Sequence, residues 1–259
     1  GVSVGIKPRA MNPERPEAIW DSPHQATIAT MFGMMAQRHM YEYGTTSEQL
    51  AAVKVAASFH AQHNPQAFLR KLVTVEDVLA SGMVADPLHK MDLCVVTDGG
   101  GALVLTNAEI ARSLKRGQVK VLASAETIHT NRGGAFDPIQ VGAAMVGPKV
   151  FAQAGLTPEH IQYASIYDAC TMLVITQLEQ LGFCKVGQGG AFVAEGNLMA
   201  GRGKLPWNTD GGGLCSNHPS NRGGITKVIE AVRQLRGEAH PAVQVPGCAI
   251  AMASGPGRP

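Results

Sequence analysis

Aromatic residues are scarce in this sequence: Phe, Trp and Tyr together make up 5% of its 259 residues. Proteins that bind single-stranded nucleic acid stack bases on aromatic side chains, so this scarcity argues against such a platform. An excess of one charge is also lacking, because 22 Lys and Arg residues stand against 20 Asp and Glu residues. Without a basic stripe, the chain has no electrostatic footprint for a phosphate backbone. We therefore expect no nucleic-acid partner.

Long apolar runs and secretory features are absent as well. No uninterrupted apolar stretch approaches the ~20 residues that a membrane-spanning helix needs, and the first residues do not resemble a secretory signal. The five cysteines, at positions 94, 170, 184, 215 and 248, form no CxxC pair and no zinc spacing. An odd, scattered set is typical of a reducing compartment. These absences predict a cytoplasmic protein without a membrane span or a metal site.

Phosphate-binding motifs are missing too. The triple glycine at 99–101 is too short for the GxGxxG dinucleotide fingerprint, and no GxxxxGK[ST] loop occurs. His60 and His63 are three residues apart on a predicted helix, but nearby Asp or Cys ligands are lacking. The chain starts with Gly1 and stops in a glycine-rich turn at 254–259. We expect both ends to be cuts in a longer protein.

Periodicity and capping residues divide the chain into two kinds of region. Residues 8–92 are predicted to be mostly helical, and after Cys94 short apolar runs and strand–helix alternation take over. Helices are predicted at 24–43, 74–80, 138–154, 169–181 and 223–236. Another helix is predicted to begin at a capping box of Thr45 and Glu48 and to end before Asn64. The helix at 74–80 has Thr74 as its cap and Asp77 as the partner of that cap. Predicted strands lie at 93–96, 102–105, 119–125, 161–167 and 243–252. This alternation predicts an α/β layered fold around a largely buried sheet.

The loop Asn208–Pro219, with sequence NTDGGGLCSNHP, carries the most informative residue, His218. Glycine lets the backbone approach a ligand closely, and the proline holds the following turn. The histidine is thus displayed on a corner beside a helix, a placement suited to a base that accepts a proton from a thiol or a carbon acid. The alternative is an ordinary loop histidine with turn glycines.

Two further segments are candidates with open alternatives. Tyr167, Asp168 and Cys170 lie at a strand-to-helix junction, where open α/β sheets display ligand-binding groups. Asp168 could equally cap the helix, and Cys170 could be a small buried hydrophobic residue. Cys248 lies in an apolar strand near a glycine-rich turn and is either a reactive thiol or an inert buried cysteine.

In this order, the segments resemble the C-terminal part of the thiolase superfamily, in particular the sterol-carrier-protein and lipid-transfer-protein types that are often called acetyl-CoA acetyltransferases. The resemblance covers nearly the whole chain, and as a set its motifs are specific. The matching segments are YDAC at 167–170, QLEQLGFC at 177–184, GGAFV at 189–193, NTDGGG at 208–213 with His218-Pro219, EAVRQLRG at 230–237, MYEYGTT at 40–46 and DGG at 98–100.

The resemblance implies a fold and a domain division. Thiolase-fold chains consist of two similar halves, layered α-β-α-β-α around mixed five-stranded sheets, with a helical loop domain inserted in the first half. On this basis residues 1–116 are the end of an incomplete first half, with the loop domain at about 9–92. Residues 117–259 are the second half without its last strand. The family usually forms tight dimers, so we expect a homodimer or homotetramer.

The resemblance also implies roles for individual residues. His218 matches the base that activates a nucleophilic cysteine, and Cys248 matches the second cysteine, which moves the proton of the carbon nucleophile. Tyr167 stands where the family places an Asn or His of the oxyanion hole. Gly212, Gly213 and Asn217 are candidate contacts to coenzyme A, which is a substrate; no covalently bound cofactor is implied. The nucleophile's own segment is expected before residue 1, so this chain alone should not turn over.

The implied reaction is Claisen-type acyl transfer on a 3-oxoacyl-CoA. Two departures from the family pattern bear on it: Asn217 replaces the usual glycine before His218, and Tyr167 is similar to the tyrosines of aldolase-like relatives that cleave steroid side chains. Those relatives pair with a small zinc-ribbon/OB-fold subunit. A retro-aldol lyase and a non-catalytic acyl-CoA or lipid-binding homologue are therefore the alternative functions.

Overall fold

The computed structural model of the protein describes residues 27–128 and 137–255. Its first part is helical, with α1 at Ile28–Tyr43, α2 at Ser47–Ala61 and α3 at Val75–Leu79. The helices predicted there are confirmed, although the predicted start at residue 24 and the chain end at 256–259 lie outside the described residues. Each helix begins at a threonine whose hydroxyl accepts a backbone N–H of the first turn; these caps are Thr27, Thr46 and Thr74.

One predicted cap is wrong by a single residue. Thr46, not Thr45, caps α2, and its capping-box partner is Gln49 rather than Glu48. Thr45 is buried instead, with its hydroxyl 2.8 Å from Nδ1 of His39. The sequence TTSE permits either threonine to cap, and the buried histidine decides between them.

A short hairpin follows, in which β1 at Met83–Ala85 pairs antiparallel with β2 at Leu88–His89. From residue 93 to 128 the chain is irregular apart from α4 at Ala108–Ser113. The strands predicted at 93–96, 102–105 and 119–125 are therefore wrong. A strand needs a neighbouring backbone to pair with, and within the described ranges only residues 93–95 find one, at 169–170 and at Gly213.

The second part alternates helices and strands as predicted. The elements are α5 at Ala143–Ala154, β3 at Tyr163–Ile166, α6 at Thr171–Gln180, α7 at Gly189–Ala194, a turn of π-helix at Gly212–Ser216, α8 at Gly224–Arg236 and β4 at Ala251–Ser254. The strand predicted at 161–167 and the helices predicted at 169–181 and 223–236 are confirmed. The strand predicted at 243–252 is reduced to β4, because turns occupy much of 241–247.

Strand β3 is the centre of the second part. It pairs in parallel with β4, from Tyr163 opposite Ala251 to Ile166 opposite Ser254. Along its other edge the carboxamide of Asn208 imitates a strand, since it accepts from the N–H of Ile166 at 3.0 Å and donates to the carbonyl of Ile166 at 2.7 Å. The described ranges hold two two-stranded sheets rather than the five-stranded sheets that we expected.

Helix α6 lies in the core, and its residues from Thr171 to Glu179 are all buried. A helix buried on every side must satisfy its polar side chains internally. Nε2 of Gln177 donates to the carbonyl of Tyr167 at 2.7 Å, although its Oε1 is buried without a partner among the described residues. Glu179 accepts from the N–H of Gly189 at 2.8 Å. The core therefore fixes the chain just after β3, where the candidate site begins.

No helix between 27 and 128 or between 137 and 255 has both the length and the hydropathy that crossing a bilayer requires.

Candidate active site

Two predicted site residues, Tyr167 and His218, meet at the carboxyl end of β3. Tyr167 leaves the strand with its N–H bonded to the carbonyl of Ser254 at 2.9 Å. His218 follows the π-helical turn, and its N–H donates to Oγ1 of Thr97 at 3.0 Å. The hydroxyl oxygen of Tyr167 lies 2.8 Å from Nε2 of His218. The pair is thus held on a strand end and a rigid turn, as a reacting pair requires.

The hydrogen bonds of Tyr167 assign the tautomer of His218. The hydroxyl of Tyr167 also lies 2.7 Å from the backbone carbonyl of Ser220, which can only accept, so the single hydroxyl proton is donated there. The contact with His218 then requires that Nε2 carries a proton and donates it to the tyrosine oxygen. Nδ1 consequently keeps its lone pair and is the basic atom of the ring.

Burial sets the protonation of this pair. It lowers the pKa of His218, and among the nearby charges Asp168 opposes this shift while Lys227 adds to it. Burial also raises the pKa of Tyr167 to about 12, with smaller contributions from Cys94 and Asp168. Near neutral pH the pair is therefore a neutral imidazole beside a protonated phenol. An imidazole in that state can accept a proton from a substrate.

Asp168 is fully buried and binds the loop that carries His218. Its Oδ1 accepts from the N–H of Gly213 at 2.8 Å and from Nζ of Lys227 at 2.7 Å, and its Oδ2 accepts from the N–H of Leu214 at 3.0 Å. The alternative role of Asp168 as a helix cap is wrong. Cys170 is the N-cap of α6, without a side-chain hydrogen bond.

Two of the loop glycines are required by close approach to this carboxylate. Gly212 has φ of +60°, and a Cβ there would collide with the carboxylate of Asp168 and with the carboxamide of Asn208. A Cβ on Gly213 would lie 3.0 Å from the carbonyl oxygen of Asp168 and 3.0 Å from Cδ2 of His218. The glycines therefore let the loop close around Asp168 and let the imidazole pack on backbone.

Gly212 and Gly213 were predicted to contact coenzyme A, and both are buried. Gly212 donates its N–H to Oδ1 of Asp210 at 2.9 Å, and the N–H of Gly213 is held by Asp168. Neither N–H is left to bind a phosphate. Their contact with coenzyme A stays a prediction, and the structure gives them a role inside the loop.

The helical first part supplies partners for the carbonyls of this loop. Lys54 of α2 is buried and donates to the carbonyl of Leu214 at 2.6 Å, and Asn64 donates to that of Asp210 at 2.9 Å. The N–H groups of residues 68 and 69 donate to the carbonyls of Ser216 and Cys215 at 3.1 and 2.8 Å. Carbonyl groups of the π-helical turn thus receive hydrogen bonds from residues outside the turn. These bonds stabilise a helical geometry that is rare in proteins.

Asn217, the third predicted contact to substrate, lies half-buried directly before His218. Its Oδ1 is buried without a hydrogen-bond partner in the described part of the chain. Its Nδ2 makes one long contact of 3.4 Å to Oγ of Ser216. A buried amide oxygen without a donor is costly, so this carboxamide is a fit for a donor group of a bound molecule.

Sequence reasoning missed Cys94 and Thr97, which the fold brings to the pair. Thr97 accepts the N–H of His218, and Cys94 is close enough to Tyr167 that its thiolate form would raise the pKa of that phenol. Burial raises the pKa of Cys94 itself to about 12, so the thiol keeps its proton. The signal available was that both residues lie shortly before DGG at 98–100, which is one of the matching segments.

Cys248 is not brought to His218. Gln162, directly before β3, holds the Cys248 turn: its Oε1 accepts from the N–H groups of residues 249 and 250 at 2.7 and 3.0 Å. Tyr167 lies at the other end of β3, five residues or roughly 16 Å further along an extended strand. Burial raises the pKa of Cys248, so its thiol is no better a nucleophile than usual. Its role as second cysteine stays a prediction.

The remaining thiols show no reactive setting. Cys170 and Cys215 are buried and Cys184 is partly buried. Burial raises the pKa of all three thiols, that of Cys184 to about 12, which is typical of structural cysteines. Within 27–128 and 137–255, no group of three or more His, Cys, Asp or Glu side chains could hold a metal ion.

Comparison with known proteins gives a consistent result. Residues 123–259 match a family model described as "Thiolase C-terminal domain-like". The chain is 39% identical over 238 residues to an acetyl-CoA acetyltransferase of Methanothermobacter thermautotrophicus, covering 90% of this chain and 61% of that protein. It is 40% identical over 223 residues to the 17-hydroxy-3-oxo-4-pregnene-20-carboxyl-CoA lyase of Mycobacterium tuberculosis, covering 83% and 57%.

A solved structure described as an Ltp2-ChsH2(DUF35) aldolase matches the fold, with a TM-score of 0.81 and 36% identity. The match covers 89% of this chain and 61% of that one. The predicted α/β thiolase fold is thereby confirmed. The chain spans about three-fifths of the length of the relatives that it matches.

Proposed function

The chain belongs to the thiolase superfamily, and from this membership we propose that it acts on a coenzyme A thioester by breaking or forming a carbon–carbon bond of the acyl group. The observation that carries the proposal is the Tyr167–His218 pair, with 2.8 Å between the tyrosine oxygen and Nε2. Nδ1 of His218 is the general base, and Tyr167 holds the ring in the tautomer that leaves this atom unprotonated.

The first form of this function is Claisen-type acyl transfer. A thiolate attacks the keto carbon of a 3-oxoacyl-CoA, the bond between the second and third carbons breaks, and the released enolate of the shorter acyl-CoA takes up a proton. The acyl group then passes from the thiol to coenzyme A. His218 receives the proton of the attacking thiol. The acetyl-CoA acetyltransferase among the relatives supports this form.

The second form is a retro-aldol cleavage of a 3-hydroxyacyl-CoA, and the tyrosine favours it. A base removes the hydroxyl proton, the same carbon–carbon bond breaks, a ketone or aldehyde leaves, and the enolate takes up a proton. This step needs no nucleophilic cysteine. Within the described residues no cysteine sulfur is within hydrogen-bonding distance of His218, whereas Tyr167 is. The 17-hydroxy-3-oxo-4-pregnene-20-carboxyl-CoA lyase supports this form.

Further roles belong to the same proposal. Asn217 is proposed to accept a hydrogen bond from the substrate, because its Oδ1 is buried and has no partner among the described residues. Cys248 is proposed to act in proton transfer only if the turn before β4 rearranges. Coenzyme A is the substrate carrier, and Gly212 and Gly213 shape its site through the loop rather than through their own amides.

Assembly and location are proposals as well. A homodimer or homotetramer and a small zinc-ribbon/OB-fold subunit are both proposed from the family. The description of the matching structure as an Ltp2-ChsH2(DUF35) aldolase supports a partner subunit. A cytoplasmic location rests on the odd, scattered cysteines. A boundary between the two halves at residue 116 is supported by the family match, which begins at residue 123.

The test uses the chain alone and the chain mixed with the part of the Methanothermobacter relative that it does not match. Each sample receives acetoacetyl-CoA with coenzyme A, or a 3-hydroxyacyl-CoA with a tertiary hydroxyl, and products are followed by mass spectrometry. We expect binding without thiolysis by the chain alone, and turnover in the mixture. His218→Gln should lower that turnover by roughly 10²–10⁴-fold, the usual contribution of a general base.

The two forms separate in the same samples. An acyl group mapped to a cysteine identifies acyl transfer, whereas cleavage of the hydroxy substrate without any adduct identifies the retro-aldol reaction. Tyr167→Phe should then remove most of the activity. Turnover that survives His218→Gln at the wild-type rate would contradict both forms.

A further inference from the structure

We propose that Asp168 is a positioning residue: by binding the N–H groups of Gly213 and Leu214, it holds the imidazole of His218 against the hydroxyl of Tyr167. The inference rests on the proposed function only in that this pair is the reacting pair. The geometry itself can be measured without turnover.

Asp168 is linked to both members of the pair, Tyr167 and His218. It directly follows Tyr167 in the chain, so its backbone is continuous with the strand end that carries the phenol. Its carboxylate holds the N–H groups of Gly213 and Leu214 at 2.8 and 3.0 Å. The imidazole of His218 packs on Gly213, where a Cβ would come within 3.0 Å of Cδ2. A shift of this carboxylate therefore moves the surface on which the ring rests.

Lys227 allows the carboxylate to stay in the core. Both side chains are almost completely buried, and their ion pair measures 2.7 Å. The pair ties α8 to the same oxygen that binds Gly213. A buried charge without such a partner would be strongly unfavourable. The ion pair thus gives the buried carboxylate a counter-charge, and its two oxygens accept from both loop amides at once.

The charges of the pair act on His218 in opposite directions. The carboxylate of Asp168 raises the pKa of the imidazole and the ammonium of Lys227 lowers it, while Tyr167 faces it as a neutral phenol. Removing both charges together therefore removes two opposed contributions to the field at His218, and it also removes the bond to Leu214. The double variant Asp168→Asn with Lys227→Met isolates the positioning effect, since the introduced carboxamide retains only one oxygen to accept with.

The test is ¹⁵N NMR of the histidine rings in the full chain, with His218 assigned from the signal that disappears in His218→Gln. In wild type we expect one neutral tautomer at pH 7, protonated on Nε2. In the double variant we expect a mixture of tautomers, because the ring is no longer held on the tyrosine oxygen. Asp168→Glu, which keeps the charge but displaces both amide contacts, should give the same mixture.

Asp92→Asn is the matched control. Asp92 is also a buried acid at the start of α6, where it accepts from Oγ1 of Thr171 at 2.8 Å and from the N–H of His89, but it does not touch the loop. The Asp92→Asn substitution should leave the tautomer of His218 unchanged. A folded double variant or Asp168→Glu variant that keeps the wild-type tautomer would overturn the proposal.

Amide hydrogen exchange in the wild-type protein tests the same proposal without any variant. The amide protons of Gly213 and Leu214 should be among the slowest of the loop to exchange with solvent, because a buried carboxylate holds them. Fast exchange at these two amides would also overturn the proposal. If the NMR results are as expected but no thioester is cleaved, the positioning role stands and the proposed function fails.

Discussion

The tetrapeptide Asp-Gly-Gly-Gly occurs twice in this chain, at 98–101 and at 210–213, in opposite environments. At 210–213 all four residues are buried, and the loop closes around the carboxylate of Asp168. At 98–101 the three glycines are exposed, and the chain around them forms no strand. The same tetrapeptide is thus buried and hydrogen-bonded at 210–213, whereas its glycines are exposed to solvent at 98–101.

The loop that carries His218 is ordered by hydrogen bonds from other parts of the chain. The loop at 205–218 is hydrogen-bonded to Lys54 of α2, to Asn64, to Asp168 just after β3 and to Glu230 of α8. The segment at 98–128 presents apolar side chains to solvent instead. Its exposed large hydrophobic residues are Leu103, Val104, Leu105, Ile110, Leu114, Val121, Leu122 and Ile128.

The largest expected effect comes from one substitution made in both tetrapeptides. Gly212→Ala should cost about 4 kcal/mol or more of unfolding free energy, because its Cβ strikes the buried ion pair and its φ is positive. Gly100→Ala, where a Cβ meets nothing within 4 Å, should change it by less than about 0.5 kcal/mol. Urea unfolding of both variants makes the comparison, and equal losses would contradict it.

The next effect is a pH dependence that arises beside the ordered loop. Glu230 accepts from Oγ1 of Thr209 at 2.6 Å, and burial, with a further contribution from Asp210, raises its pKa to about 7. A carboxyl with a raised folded-state pKa adds stability that is fully present below its unfolded value near 4.5 and is lost as pH rises through 7.

Glu230→Gln should therefore reduce the loss of unfolding free energy between pH 4.5 and pH 8 by about 3 kcal/mol. Glu109→Gln, which removes an exposed carboxylate in the segment at 98–128, is the control and should keep the wild-type dependence of unfolding free energy on pH. Urea unfolding at several pH values measures both. Identical slopes for Glu230→Gln and wild type would show that Glu230 is ionised throughout.

A pair of asparagines gives the third comparison. Asn208→Ala removes the two bonds that imitate a strand beside Ile166 and should cost about 2 kcal/mol. Asn107→Ala removes a cap whose Oδ1 accepts from the N–H of Ile110 in the exposed helix α4, and should cost about 1 kcal/mol or less. Thermal unfolding ranks the two, and the reverse order would mean that the strand mimic contributes little.

The smallest effect is expected in the open segment. Val104 is 90% exposed, so Val104→Ser should change the unfolding free energy by less than about 0.5 kcal/mol. The same change should reduce self-association, because exposed apolar side chains promote contact between molecules. Unfolding and light scattering are measured on one preparation. A large loss of stability would show that this side chain is buried in solution.

Sequence reasoning predicted what the chain itself can enforce. Threonine caps, glycine stops and amphipathic periodicity are local, so α1, α2, α3, α6 and α8 were placed within a few residues. The predicted strands at 102–105 and 119–125 failed for a physical reason: β-propensity reports a fit to a pleated neighbour, and the described residues provide none there.

The candidate site was predicted in part. Tyr167 and His218 were named from their positions at a strand end and before a proline, and the fold brings them together. Asp168 was noticed, but its partners lie 45 to 59 residues away in sequence, so no local pattern reveals its role. Cys248 was assigned as the second cysteine by the resemblance to the thiolase superfamily, whereas its own segment left a reactive and an inert thiol open. The parallel register of β3 and β4, which the sequence does not contain, places it at the opposite strand end.

His218 is proposed to be the base of a carbon–carbon cleavage, and this role predicts the pH dependence of the rate of thioester cleavage by the chain mixed with the unmatched part of the Methanothermobacter relative. Because burial lowers the pKa of His218 below its usual value of about 6.5, activity should fall as pH falls, with a midpoint below 6.5. The residual activity of His218→Gln should not show this fall at acid pH. An acid limb that remains unchanged in His218→Gln would contradict the claim.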